Sequence, residues 1–227
     1  MTMRKMMLLA IALMATLSGN AQIEEGDWAL IVKAGVGKAD LTGKLYDSEK
    51  AEGTYDATLH PITSFVVGAE GEYGMTDQLS LVFGANFCTQ GAKTNDDLFK
   101  VSMSYFNVPL LVQCYPIRNF GLAIKAGAQV GFVSRKTLKI DGVTYSADYV
   151  KVYNKYWNRP VYVESELSKQ FNKVDFSIPV GISYELYNFI LDVRYNIGLT
   201  NIMKDDPENS RNRVWQFTLG YKFNLGD

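Results

Sequence analysis

Apolar and polar positions alternate strictly through several stretches of the chain. Phe65, Val67, Ala69, Gly71 and Tyr73 are interleaved with Val66, Gly68, Glu70, Glu72 and Gly74. Phe189, Leu191, Val193, Tyr195, Ile197 and Leu199 alternate with Ile190, Asp192, Arg194, Asn196 and Gly198. Near the end, Trp215, Phe217, Leu219, Tyr221, Phe223 and Leu225 alternate with Gln216, Thr218, Gly220, Lys222 and Asn224. A period of two puts one set on each face of a β-strand, and runs of about ten residues match strands that cross a membrane at a tilt. The pattern predicts eight strands, near 28–38, 63–74, 78–89, 100–115, 119–133, 173–186, 189–199 and 214–225.

The links between them sort by length. Short links at Met75–Asp77, Pro116–Arg118 and Tyr187–Asn188 alternate with long ones at 39–62, 90–99, 134–172 and 200–213. Outer-membrane barrels alternate periplasmic turns with extracellular loops in this way. The reading is therefore an all-β protein, an eight-stranded antiparallel up-and-down transmembrane β-barrel in the cell outer membrane with both termini periplasmic. With the apolar set facing lipid, Trp28, Tyr73, Tyr115, Phe120, Tyr184, Phe189 and Phe223 gather toward the short-turn end. Phe65, Phe87, Tyr105, Phe132, Phe176, Tyr195 and Trp215 gather toward the long-loop end. Two aromatic girdles of this kind flank the apolar band of a membrane barrel.

The opposite face carries Lys33, Glu70, Glu72, Asn86, Lys125, Gln129, Asp175, Ser177, Glu185, Asp192, Arg194, Asn196, Gln216 and Lys222, interspersed with glycine. Eight strands enclose a space that side chains fill, and an unpaired ion there costs several kcal/mol. The four cations and five anions of this face are expected to neutralise one another as a structural plug. Phe106 to Val112 breaks the parity, being apolar on both faces, and Pro109 cannot donate to a ladder. A bulge near Asn107–Pro109 is expected, and Pro179 poses the same question in the sixth strand.

Residues 1–21 read as a cleaved signal peptide, leaving one barrel domain over 22–227: Arg4 and Lys5 precede an apolar run from Met6 to Leu17, then small residues through Ala21. The run is too short to span a membrane as a helix. Without Arg4 and Lys5 the 23 basic residues fall to 21 against 24 acidic ones, a mature charge of about −3 that argues against a nucleic-acid partner. Cys88 and Cys114 fall about twelve residues out of register in the hairpin their strands would form, roughly 40 Å apart along the strand, so no disulfide is expected.

Several separated motifs carry a family resemblance. They are Tyr105-Phe106-Asn107-Val108-Pro109-Leu110-Leu111-Val112 with Tyr115, Lys125-Ala126-Gly127, Phe176-Ser177-Ile178-Pro179-Val180-Gly181, Asp192-Val193-Arg194-Tyr195 with Gly198-Leu199-Thr200-Asn201-Ile202, and Phe217-Thr218-Leu219-Gly220-Tyr221-Lys222-Phe223. In order and spacing they resemble the PorT-like outer-membrane β-barrel family common in Bacteroidota. The resemblance implies a small outer-membrane barrel without an assigned activity. The chain departs from the usual ending, because Asn224, Leu225, Gly226 and Asp227 follow the last aromatic, Phe223.

Little in the sequence points to chemistry. His60 is the only histidine, and no metal spacing, phosphate loop or nucleophile elbow occurs, so neither metal nor cofactor is expected. A lipid-modifying enzyme would need His60 to meet Asp96 or Asp97 and a serine such as Ser104. Asp205, Asp206 and Glu208 read as a solvated acidic loop. The third long loop is the better candidate: it carries Tyr145, Tyr149, Tyr153, Tyr156, Trp157, Arg159 and Tyr162, and Asp141-Gly142 between Ile140 and Val143 predicts a hairpin. Aromatics and arginine on an exposed loop suit recognition. Packing over the barrel mouth is the equal alternative. The leading reading is a non-enzymatic barrel in contact with outer-membrane lipid and an envelope or extracellular partner. The others are the His60 enzyme and a soluble lipocalin-like carrier with its apolar face inward.

Overall fold

The computed structural model describes residues 23–42, 59–94, 99–117, 120–140, 143–146, 149–154, 159–164, 171–202 and 210–225. Eleven strands occur in these segments: β1 (Trp28–Thr42), β2 (Leu59–Thr76), β3 (Leu79–Thr94), β4 (Phe99–Cys114), β5 (Leu122–Ile140), β6 (Val143–Ser146), β7 (Tyr149–Asn154), β8 (Arg159–Glu164), β9 (Val174–Leu186), β10 (Phe189–Asn201) and β11 (Arg211–Asn224). Eight of them close on themselves. The order runs β4-β3-β2-β1-β11-β10-β9-β5, all antiparallel, and β5 pairs back onto β4. The predicted signal segment lies outside the described residues.

The two faces divide as the alternation predicts. Val36, Leu191 and Leu219 are 58%, 58% and 53% exposed on the outside, whereas their inward neighbours Asp192, Arg194 and Thr218 are buried. An outward apolar face is what lipid requires, and it excludes the lipocalin-like alternative, whose apolar face would point in. Inward glycines let adjacent strands approach closely. At Gly35 an added Cβ would overlap the carbonyl of Phe217, and at Gly127 that of Leu110. Larger residues at either position would force those backbones apart.

The prolines behave differently from the bulge expected near Asn107–Pro109. The β3–β4 ladder lapses between the pairs Phe83↔Leu110 and Asn86↔Asn107 and resumes in the same register. Pro109 lies in that gap, where its missing N–H breaks no pair. Pro179 likewise sits in a lapse between Ala126↔Val180 and Gln129↔Ser177 on the β5 side, while keeping its place opposite Asn196 on β10. The register shift instead falls where Ser104↔Arg135 gives way to Tyr105↔Val133, leaving Ser134 as the extra residue of β5. This reverses the parity of β5, so that Lys136 turns inward and is buried while Arg135 is exposed.

At the short-turn end, Thr76 Oγ1 accepts hydrogen bonds from the amides of Gln78 (3.3 Å) and Leu79 (3.0 Å). The Tyr187–Asn188 turn places Tyr187 in the left-handed region, φ 53°, and Asn188 Nδ2 ties it to the Lys222 carbonyl at 2.8 Å. The long-loop end differs from expectation. Strands run on past the predicted limits, and the second long link, expected over 90–99, is largely ladder, with pairs continuing to Leu59↔Thr94 and Lys93↔Lys100. Ile140 and Val143 pair across Asp141-Gly142 as a hairpin, as expected.

Candidate functional site: the lumen and the loop end

Each of the nine charged side chains assigned to the inward face is buried, because strand parity carries it there. They form two linked clusters and one outlier. In the middle of the barrel, Glu70 receives Lys33 Nζ at 2.7 Å, both terminal nitrogens of Arg194 at 3.0 and 3.3 Å, and Asn86 Nδ2 at 3.0 Å. Arg194 also reaches Asp192 at 3.3 Å, and Lys125 Nζ lies 2.8 Å from the same carboxylate. Toward the short-turn end, Lys222 Nζ bridges Glu185 at 2.6 Å and Glu72 at 2.8 Å. The Tyr115 hydroxyl stands between those two carboxylates, 2.9 Å from Glu72 and 2.8 Å from Glu185. Ser80 Oγ and Gln113 Nε2 donate to Glu72 at 2.7 and 2.8 Å, and Gln113 also contacts Tyr115.

The charges balance across the two clusters but not within either. The middle one holds Lys33, Lys125 and Arg194 against Glu70 and Asp192; the lower holds Lys222 against Glu72 and Glu185. Their opposite net charges attract along the bore, and Lys125 of the middle cluster acts on both Glu72 and Glu185. The space left beside Lys33, Glu70, Lys125 and Asp192 is too small for a water molecule. Asp175 departs from the expected neutralisation. It forms no ion pair with a described cation, and accepts instead from Asn212 Nδ2 at 3.3 Å, which also lies 3.1 Å from the Tyr105 hydroxyl.

Tyr105 and Tyr115 are corrections to the aromatic girdles. Both are inside the barrel and almost wholly buried, because β4 keeps one parity from Met103 through Tyr105, Asn107, Pro109, Leu111 and Gln113 to Tyr115. Continuing that parity through the apolar stretch, without inserting a bulge, would have found them. The mouth at the long-loop end closes over an apolar cluster of Leu41, Val66, Cys88, Ala92, Met103, Tyr105, Phe171 and Ile202. Lys136 Nζ rests 5.6 Å from the Phe171 ring centre. Cys88 is buried in this cluster with its thiol accepting from Asn107 Nδ2 at 3.1 Å, and Cys114 is likewise a free thiol.

The third loop contains a separate two-stranded sheet, β7 with β8. Its register pairs Tyr149↔Glu164, Lys151↔Tyr162 and Tyr153↔Pro160 on one face. Val150↔Val163, Val152↔Val161 and Asn154↔Arg159 fall on the other. Three of the candidate tyrosines thus share a face, Arg159 takes the opposite one, and Tyr145 belongs to β6. Tyr156 and Trp157 lie outside the described residues, as do Asp96, Asp97, Asp205, Asp206 and Glu208. His60 stands on β2 opposite Lys93, whereas Ser104 stands on β4 opposite Thr89 and Arg135. Two strand spacings and four residues separate His60 from Ser104, about 16 Å by ladder spacing, so these two residues do not come together.

Comparison with known structures places this architecture among outer-membrane barrels. Neisserial surface protein A (NspA) superposes with a TM-score of 0.52 at 13% identity, over 86% of this chain and 99% of that one. Ail, the attachment invasion locus protein of Yersinia pestis, gives 0.45 at 13% identity over 88% and 99%, and OprG of Pseudomonas aeruginosa gives 0.41 at 16% over 88% and 98%. At these identities the likeness is one of fold, and it is carried by the NspA superposition. No curated protein matches the sequence. The model of the outer membrane protein beta-barrel domain family, however, matches residues 3–204, nearly the whole chain. With a closed eight-stranded barrel, an outward apolar face and that match, the chain belongs to the outer membrane protein beta-barrel domain family.

Proposed function

We propose that this protein is a non-enzymatic, non-conducting barrel of the outer membrane that acts through its long-loop end, engaging an envelope or extracellular partner while the lumen serves only to hold the wall rigid. The observation that carries this reading is the buried charge network: eight charged side chains pair with one another across the bore, which supports a lumen without a hydrated path along its axis. Residues 1–21 act as the export signal, both termini face the periplasm, and the motif order supports a PorT-like barrel. Tyr149, Tyr153 and Tyr162, together on one face of the β7–β8 ladder, form the recognition element, since tyrosine covers much area at low entropic cost.

Excising residues 141–165 and rejoining the ends with a short turn is the test. The barrel should remain heat-modifiable on detergent gels, because loops tolerate deletion better than walls. The components that the immobilised wild type captures from envelope extracts, identified by mass spectrometry, should be lost. The triple substitution Tyr149→Ala, Tyr153→Ala, Tyr162→Ala should lose them too, whereas Arg159→Ala, on the other face, should retain most of them. An unchanged set of captured components after excision would show that the loop takes no part in binding.

A further inference from the structure

The outward face changes character along its height. On β11, Trp215 at the loop-end girdle is followed on the same face by Arg213 and Arg211, both exposed. On β1, exposed Lys38 follows Val36, directly opposite Trp215, and on β5 exposed Arg135 follows Phe132 across the bulge. A step of two residues along a strand is about 7 Å, so these cations begin immediately above the aromatic ring. Higher still, Lys93, Lys100 and Lys139 stand directly opposite one another across β3, β4 and β5, with His60 opposite Lys93.

Like charges in paired positions do not attract one another across a ladder. Among the described outward positions at this end the only acid is Asp40, opposite Arg213. The short-turn end is the reverse: outside the lumen its described charges are Glu24, Glu25, Asp27 and Asp77. Among the described outward residues, cations are thus concentrated at one water boundary, just beyond the girdle, at the depth where lipid headgroups lie.

We infer that this cationic collar binds the phosphate-bearing headgroups of outer-leaflet glycolipid. Lys38, Arg135, Arg211 and Arg213 meet the phosphates nearest the acyl chains, and the Lys93–Lys100–Lys139 row meets anionic groups further out. Arginine supplies paired donors for a phosphate, and its neighbour Trp215 supplies the interfacial ring that fixes the depth. The inference rests on the outer-membrane assignment but not on the third-loop surface.

The full chain refolded in zwitterionic detergent micelles provides the test, read as the midpoint temperature of the gel-mobility shift. Adding bisphosphorylated lipid A should raise the midpoint; the same glycolipid stripped of its phosphates, or inorganic pyrophosphate alone, should not. The variant Lys38→Gln, Lys100→Gln, Arg135→Gln, Arg211→Gln, Arg213→Gln should keep its midpoint without glycolipid and lose the rise. Glu24→Gln with Glu25→Gln, at the other end, should leave the rise intact, as should excision of residues 141–165. If the fivefold variant fails to fold, Arg211→Gln/Arg213→Gln and Lys100→Gln/Arg135→Gln should each show a reduced rise. An equal rise with dephosphorylated glycolipid would mean that hydrocarbon alone is recognised. A rise with pyrophosphate alone would mean a free-anion site, and an undiminished rise in the variants would remove the collar from recognition. Each of these three results overturns the inference.

Discussion

Glu70→Gln is expected to destabilise the barrel by about 3–5 kcal/mol, the cost of removing one partner from a buried ion pair. Glu70 joins Lys33 to Arg194 at 2.7 and 3.0 Å, and the amide leaves Lys33 buried without a counter-ion. It also leaves three cations facing Asp192 alone. The double variant Glu70→Gln, Lys33→Met returns the middle cluster to its original net charge and should recover a large part of the loss. Urea unfolding of the refolded protein, followed by the fraction that keeps the mobility of the folded form, measures both effects. A negligible effect of Glu70→Gln would indicate that water screens the interior charges, contrary to a filled lumen.

The second large effect belongs to the outer wall. Leu219→Arg should cost about 2–4 kcal/mol, because a cation at the bilayer midplane has no means of solvation on the lipid face. Leu225→Arg, just past the end of β11 and beyond Phe223, should cost about 0–1 kcal/mol, being within reach of the interface. Both side chains are similarly exposed, at 53% and 64%, so burial within the protein cannot account for a difference. Unfolding from lipid bilayers separates the two, and equal costs would mean that the wall does not meet hydrocarbon in the assumed frame.

Those two substitutions probe the features most legible in the sequence. Period-two alternation in β2, β10 and β11 placed both faces correctly because each strand has one lipid face and one polar face, and a one-residue slip would invert them. The charged lumen set followed from the same parity. Strand β4 was harder to read. Val108, Leu110 and Val112 face lipid while Pro109 and Leu111 face inward, so hydropathy lost its phase there, and Tyr105 and Tyr115 were assigned to the wrong side. A lapse in pairing accommodates proline as well as a bulge does, and composition cannot distinguish them. The real bulge, at Ser134, left no mark, since Ser134, Arg135 and Lys136 are all polar.

The loop end was legible only in part. Asp141-Gly142 announced a hairpin through turn chemistry, but the extension of β2 to β5 beyond the girdle did not, because strands above the membrane need no apolar face. The cap over the lumen draws Phe171, Ile202, Leu41 and Met103 from four separate segments, a convergence that closure of the barrel alone creates. The collar of Lys38, Arg135, Arg211 and Arg213 depends on the same closure: three separate segments bring these residues to the same end of the wall only through the strand order.

Conductance of the purified monomer in planar bilayers bears most directly on the central claim, that the barrel is sealed and works from its outer end. With the bore occupied by the paired groups around Glu70, Arg194, Glu72 and Lys222, membranes containing the protein should carry no sustained current above that of lipid alone. Stable, discrete openings from correctly folded monomer would contradict it.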